Sequence, residues 1–413
     1  MRKAKRKNAQ TNRSDASVEF HDLELHRWRF FLRPDETTSG ADASALPDGF
    51  VDALNAAGAR LGWSEGALLR PDLHAAPADF SQRLVVEQAT EWREHDGILR
   101  TLEARTLLDA CYLQLGAAKE GALQTPHALQ DALPALPAGE GYLGDAECWC
   151  LMRADGEPDE PALREAIRRL ALPQEGYLTF DTQGGRLALY PNTLTACIVY
   201  TPAQTQPMSR LLHQILPPLL LNLLKIRRLR EQYLQFKPQV QGEEGRLERL
   251  MAQARQAHQL SIEQIEQHSV QLAQQQAHYL ETLSQIEEWQ HTLKTLQDNL
   301  RRLLRDPLWR DGEQSAPARL LLERVQLWID QLHSDLHYFH ITRRQADLHL
   351  QSLNTASGVR AAQWNRRITL LLGIFVVLEL PQAFPELSIP ARLALIGAGA
   401  LAMLLGNWYF TRR

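Results

Sequence analysis

Two apolar runs near the C-terminus constrain this chain more than anything else in it. Residues 368–384 read ITLLLGIFVVLELPQAF and residues 393–410 read LALIGAGALAMLLGNWYF. At 1.5 Å rise per residue each reaches about 26 Å, the low end of what crosses a hydrocarbon core. Glu379 interrupts the first run, but near its far end, where a carboxylate costs much less than the about 2.5–3.5 kcal/mol charged at mid-membrane. A buried hairpin in a water-soluble core is the other use of such short apolar helices. The flanks favour the membrane: Arg366 and Arg367 stand before the first run and Arg412 and Arg413 after the second, whereas the connection QAFPELSIPAR holds Glu386 and only Arg392. By the positive-inside rule both ends face the cytoplasm and the connection faces out, with Trp364, Trp408 and Tyr409 at one interface. These features predict a multi-pass protein of the cell inner (plasma) membrane, with both termini cytoplasmic.

The second run repeats small residues every fourth position, at Ala394, Ala398, Ala402 and Gly406, with Gly399 beside them. Such a stripe allows a close approach of another helix backbone, or is the chance outcome of an Ala-rich apolar helix. Only 44% of the 413 residues are apolar, so most of the chain must fold in water. The net charge of -4 gives no general basic character and no nucleic-acid partner. A basic tail, residues 1–17, opens MRKAKRKNAQTNR and reads as a solvated end or as a contact for anionic lipid headgroups. No apolar run follows it to act as a signal-peptide core, so the body is predicted to stay unexported. The cysteines Cys111, Cys148, Cys150 and Cys197 have no zinc-like spacing and read as buried reduced thiols, which fits a cytoplasmic body.

Residues 18–205 read as one mixed α/β domain. The pattern predicts a strand over 18–32, a helix over about 49–62, a second helix over about 97–118, and a Pro- and Ala-rich connector over about 122–140. Next come a strand at ECWCLMRA, the helix PALREAIRRLAL, a hairpin turning at Gly184 and Gly185, and the strand LTACIVYTP. Residues 206–365 read as a long-helix stalk. Its first helix should kink or divide at Pro217 and Pro218. A second helix, about 243–305, carries Tyr279, Leu283, Ile286, Leu293, Leu296, Leu300 and Leu303 in a coiled-coil-type seam, with the Gln-rich QLAQQQAH as a solvated face. A third starts near Ala316 and meets no proline before Pro381, so it is expected to run about 65 residues into the membrane, with Gly358 as its one place for a bend. The fold class is therefore α+β: a sheet-bearing cytoplasmic domain, an antiparallel helical stalk, and a two-helix transmembrane hairpin over 366–413.

This order of elements, with RRITLLLGIFVVLELP, the acidic PEL and the ending NWYFTRR, resembles the CorA-like family of divalent-cation channels and transporters. The resemblance implies a funnel-shaped homopentamer that conducts cations under control of its cytoplasmic domain. It departs from the family at one point. The Gly-x-Asn triplet that marks the outer end of the family's first span is replaced by Glu379-Leu380-Pro381-Gln382, so no filter residue carries over and magnesium selectivity is not implied. Divergent relatives of this architecture in bacterial conflict systems imply a second reading, a membrane-anchored antiviral effector or scaffold that permeabilises the bilayer or recruits protein partners.

If the first span lines a pore, Asn365, Thr369, Leu372 or Gly373, Val376 and Glu379 share one helical face. That face offers a polar rim, an apolar constriction able to gate by dewetting, and an acidic ring that favours cations; otherwise Glu379 simply lies among headgroups. On the third helix Asp330, His333, His337 and His340 recur at three and four, with Asp347 one heptad on. They could share a divalent metal, respond to pH, or form a solvated or interhelical hydrogen-bonding stripe. His258, His268, His278 and His291 are too widely spaced to join them. No phosphate loop, nucleophile elbow or Cys-x-x-Cys occurs, so no enzyme is predicted. The partners expected are the lipid bilayer, further copies of the chain, and a cytoplasmic protein or small-ligand activator.

Overall fold

The computed structural model describes residues 18–32, 46–60, 82–84, 93–95, 98–107, 110–120, 126–154, 156–255, 260–383, 390–391, 393–394 and 396–402. The basic tail lies outside them, as do the 33–45 loop, Ser388, Arg392, Gly406, Trp408, Tyr409 and the terminal arginines. Two compact units divide the chain, one formed by 1–232 with 289–331 and the other by 233–288 with 332–413.

The first unit is built on one nine-stranded sheet. Its strands are β1 (Phe20–Leu32), β2 (Gln82–Leu84), β3 (Arg93–His95), β4 (Ile98–Leu107), β5 (Ala110–Glu120), β6 (Tyr142–Arg153), β7 (Leu178–Thr182), β8 (Gly185–Tyr190) and β9 (Thr195–Tyr200). They lie in the order β2-β4-β5-β1-β6-β9-β8-β7, with β3 beside β2 on the edge of β4. Only β6 and β9 pair in parallel, after a crossover that carries α3 (Glu160–Arg169). The helices α1 (Asp48–Arg60) and α2 (Pro126–Ala132) complete the layer on that side. Alternation along β1 sends Leu23, Leu25 and Phe31 toward these helices, where they bury with Phe50, Leu54, Leu129, Leu163, Ile167 and Trp149. Glu24, His26, Trp28 and Phe30 point the other way, toward the chain that leaves β9.

One expectation fails here. Residues predicted as a helix over 97–118 form the antiparallel pair β4–β5, with Leu107 paired to Ala110. The physical reason is the central position of β5 between β4 and β1: every residue from Ala110 to Ala117 is buried, so the strand is apolar on both faces except at Gln114 and shows no alternation. The period of two survives in the core contacts, where Cys111, Leu113, Leu115 and Ala117 share one face. The predicted connector after it also contains the short helix α2. The hairpin at Gly184 and Gly185 is as expected, and Gly185, at φ 123°, is required because a Cβ there would collide with the Val199 carbonyl of the neighbouring strand. All four cysteines are free and buried, and Cys148 and Cys150 bring their sulfurs to 3.8 Å on one face of β6.

After β9 the chain is helical. The division expected at Pro217 and Pro218 takes the form of α4 (Thr205–Arg210), a π-helical turn Leu211–Ile215, and α5 (Leu216–Ala254), with the prolines directly after the π turn, where the regular α hydrogen-bond pattern is already broken. The predicted helix over 243–305 is instead two pieces, because α5 extends to Ala254 and α6 (Ile262–Leu304) starts afresh. A capping box makes that start: the Ser261 hydroxyl accepts from the Gln264 N–H, and the Gln264 side chain accepts from the Ser261 N–H. The seam Tyr279, Leu283, Ile286, Leu293, Leu296, Leu300 and Leu303 is buried, as predicted. Beyond α6, α7 (Ala316–Ala383) runs for 68 residues, about 102 Å, unbroken at Gly358.

Candidate functional site

The residues singled out for a pore all stand on α7, so the site is built from what holds that helix and what leaves it bare. Its first turn is capped by Ser315, whose hydroxyl accepts from the Ala318 N–H at 3.3 Å. Within the second unit, α7 runs parallel to α5 and antiparallel to α6. Asp335 receives hydrogen bonds from Tyr233 and from Lys237, the latter at 2.8 Å. Thr342 donates to Glu244 at 2.6 Å, Asp347 accepts from Gln276, and the Tyr279 hydroxyl meets the Phe339 carbonyl. Burial pushes the Glu244 carboxyl above its ordinary range, Glu248 pushes it further, and the Thr342 bond opposes both. Between these polar contacts Leu332, Phe339, Ala346 and Leu353 repeat every seventh residue and are buried.

That inner seam stops at Leu353. Its next two positions are Arg360 and Arg367, and none of the described α7 side chains beyond Leu353 is buried. A second set of sevens lies two residues out of phase, about 200° around the helix from the first. It comprises Ile341, Leu348, Thr355, Ala362, Thr369 and Val376, and every member is exposed, with Ile341 at 46%, Leu348 at 59% and Val376 at 58%. Asn365, Leu372 and Glu379 flank this stripe at heptad spacing of their own, and all three are exposed, while Gly373 is half-exposed. The face proposed from sequence as Asn365, Thr369, Leu372, Gly373, Val376 and Glu379 is therefore a continuation of an apolar stripe that begins in the stalk. Thr369 spends its hydroxyl on the Asn365 carbonyl at 2.8 Å, so its polarity is turned back into the helix.

Between Ile368 and Val376 the six side chains Ile368, Leu371, Leu372, Ile374, Phe375 and Val376 are exposed around the whole helix. Burying a large apolar side chain completely is worth about 1.5–3 kcal/mol, so covering the roughly half that is bare in each of the six amounts to about 5–10 kcal/mol, comparable to the stability of a domain. An all-round apolar helix belongs in a core or a bilayer. Among the described residues no helix is long and apolar enough to cross a membrane. Of the second predicted span, the described parts of 390–402 are helical, with Ala394, Ala398 and Ala402 exposed and Gly399 half-exposed.

The predicted metal stripe is not gathered. Asp330 accepts from Gln326 at 2.8 Å, His340 pairs with Glu287 at 3.1 Å, and His333 and His337 are exposed. Among the described residues no group of three or more His, Cys, Asp or Glu could hold a metal ion. The polar alternative, an interhelical hydrogen-bonding face, describes Asp347 and His340 better.

No family model and no curated protein matches this sequence. Among solved structures, the CorA magnesium transporter from Methanocaldococcus jannaschii is similar at 11% identity over 68% of this chain and 94% of that one, with a TM-score of 0.21. The likeness is loose, and neither fold nor function is argued from it.

Proposed function

We propose that copies of this chain assemble side by side along α7 in the inner membrane and enclose a cation pathway, with the sheet-bearing unit as the cytoplasmic element that gates it. The single observation that carries this reading is the exposed stripe of sevens on α7, which leads from Ile341 and Leu348 in the stalk to Thr369 and Val376 in the apolar segment, with Glu379 beside it. Identical helices that each bear such a stripe bury it against one another, and a closed ring of them brings Leu372 and Val376 together as an apolar constriction below a ring of Glu379. The resemblance of the C-terminal segment to the CorA-like family supports the same assembly, a pentamer, and a divalent cation as cargo. The absence of the Gly-x-Asn triplet favours the second reading, a tethered effector in which the hairpin only anchors the chain.

Planar-bilayer recording separates the two. The full chain should pass cations, Glu379→Gln should lower the preference for cations over anions, and Val376→Ser should raise leak by wetting the constriction. A reconstituted protein that passes no current, or whose ion preference is indifferent to Glu379, hands the function to the tethered effector.

A further inference from the structure

The sheet unit contains a buried polar cluster that the pore reading does not use. It lies where the π-helical turn Leu211–Ile215 meets the sheet, and a π turn inside a helix costs regular hydrogen bonding and recurs at functional sites. Gln114 of β5, only 2% exposed, places its amide nitrogen 3.3 Å from Nδ1 of His26 on β1 and 3.3 Å from Nδ1 of His213 in the π turn. An amide nitrogen has two hydrogens and no acceptor, so both Nδ1 atoms accept and neither carries a proton. His26 completes the arrangement by donating from Nε2 to Glu24 at 3.2 Å. The amide oxygen of Gln114 is buried with no hydrogen-bond partner.

A proton on Nδ1 of His213 turns that acceptor into a donor aimed at another donor. Turning the Gln114 amide around would offer its free oxygen to His213 but would take the N–H away from His26. His26 would then need a proton on Nδ1 as well, since its Nε2 proton is held by Glu24. Two imidazolium rings would face each other at 6.2 Å between centroids, in a site largely removed from water.

We infer that Gln114, bridging His26 and His213, forms a proton switch that holds the π turn on the sheet while the His213 ring is neutral and releases it when that ring takes up a proton. The other groups around His213 are Glu103 and Arg105 of β4, with Glu24 of β1 beyond His26 and the Tyr200 hydroxyl of β9 on Glu24. Glu103 stands 4.0 Å from His213 but is engaged by Arg105 at 2.8 Å, so it offsets only part of the cost of a protonated ring there. Burial accordingly pushes the His213 imidazole below its ordinary range; Glu103 and Glu24 pull it up, while His26 and Arg105 push it further down. With the folded value depressed, attachment is complete above the value of the free imidazole and is lost as pH falls toward the folded one.

Hydrogen exchange read by mass spectrometry on the detergent-solubilised full chain tests the switch without requiring conduction. With labelling times scaled for intrinsic exchange, amides of 211–216 should exchange severalfold faster at pH 5.5 than at pH 8, as the depressed His213 imidazole takes up its proton. The β5 and β6 amides should not change. His213→Gln should abolish the acid response. Gln114→Glu should also suppress it, because a carboxylate accepts from both protonated rings and keeps the turn attached. Each variant is compared only if its sheet amides match the parent at pH 8, and either one suffices. A parent without an acid response, or the parental response persisting in a folded variant, overturns the switch.

Discussion

Leu348→Glu tests the outer stripe of α7 directly, because Leu348 is an apolar side chain that its own chain leaves 59% exposed. Burying a leucine completely is worth about 1.5–3 kcal/mol, so covering the bare three-fifths in an assembly contributes about 1–2 kcal/mol per copy. Leu348→Ala loses most of that, about a tenfold weakening at each contact, since 1.4 kcal/mol is a factor of ten. Leu348→Glu removes it and adds a carboxylate that must be desolvated beside its own copies. Leu336, only 4% exposed and facing the chain's own helices, provides the contrast: Leu336→Ala should cost about 2–5 kcal/mol of folding stability. Sedimentation velocity across a concentration series in detergent, with thermal unfolding on the same samples, reads both quantities. Leu348→Glu should dissociate the assembly with little change in melting, and Leu336→Ala should lower melting. If Leu348→Glu sediments like the parent at every concentration, the stripe is not a contact between copies.

Glu244→Gln should flatten the pH dependence of stability: the folded carboxyl titrates above its ordinary range, so its contribution is present below the unfolded value and lost as pH rises through the folded one. Melting at pH 5 and pH 8 measures this, and an unchanged difference between the two refutes it. Ser261→Ala removes the cap of α6 and should cost about 0.5–2 kcal/mol in chemical denaturation. Ala398→Leu should weaken the solubilised assembly while Leu401→Ala should not, and equal behaviour removes the packing role of the small-residue stripe. A cysteine replacing Ser388, in a chain without the native four, should react with an impermeant reagent from outside; labelling only from inside reverses the hairpin.

Much of this fold is legible in the residues. The strands at 20–32 and 195–200, the hairpin at Gly184 and Gly185, the seam of α6 and the unbroken length of α7 all follow local rules of period, turn and cap. The β4–β5 pair does not. Its leucines fall at intervals that suit a helix, and only tertiary context, with β4 and β1 paired on the two edges of β5 and both faces buried, makes a strand the better solution. The same misreading hides the proton switch, for Gln114 cannot be placed beside His26 while its segment is taken for a helix. His213 carries no signal at all in the sequence, since its role depends on a π turn. The break between α5 and α6 was within reach: Ser261 and Gln264 have the spacing of a capping box, three residues apart.

The two seams of α7 show what periodicity leaves open. Leu332, Phe339, Ala346 and Leu353 obey sevens, and so do Ile341, Leu348, Thr355, Ala362, Thr369 and Val376. Read as letters, each is an equally good coiled-coil stripe, and nothing local says which one the chain keeps for itself. Structure separates them, because α5 and α6 cover the first stripe and leave the second in the open. The inner stripe then passes to Arg360 and Arg367, whereas the outer one stays uncharged through Val376. One uncharged face thus persists on α7 from Ile341 and Leu348 to Val376, the register that side-by-side packing of identical helices would use, and Leu348→Glu probes that register independently of Glu379.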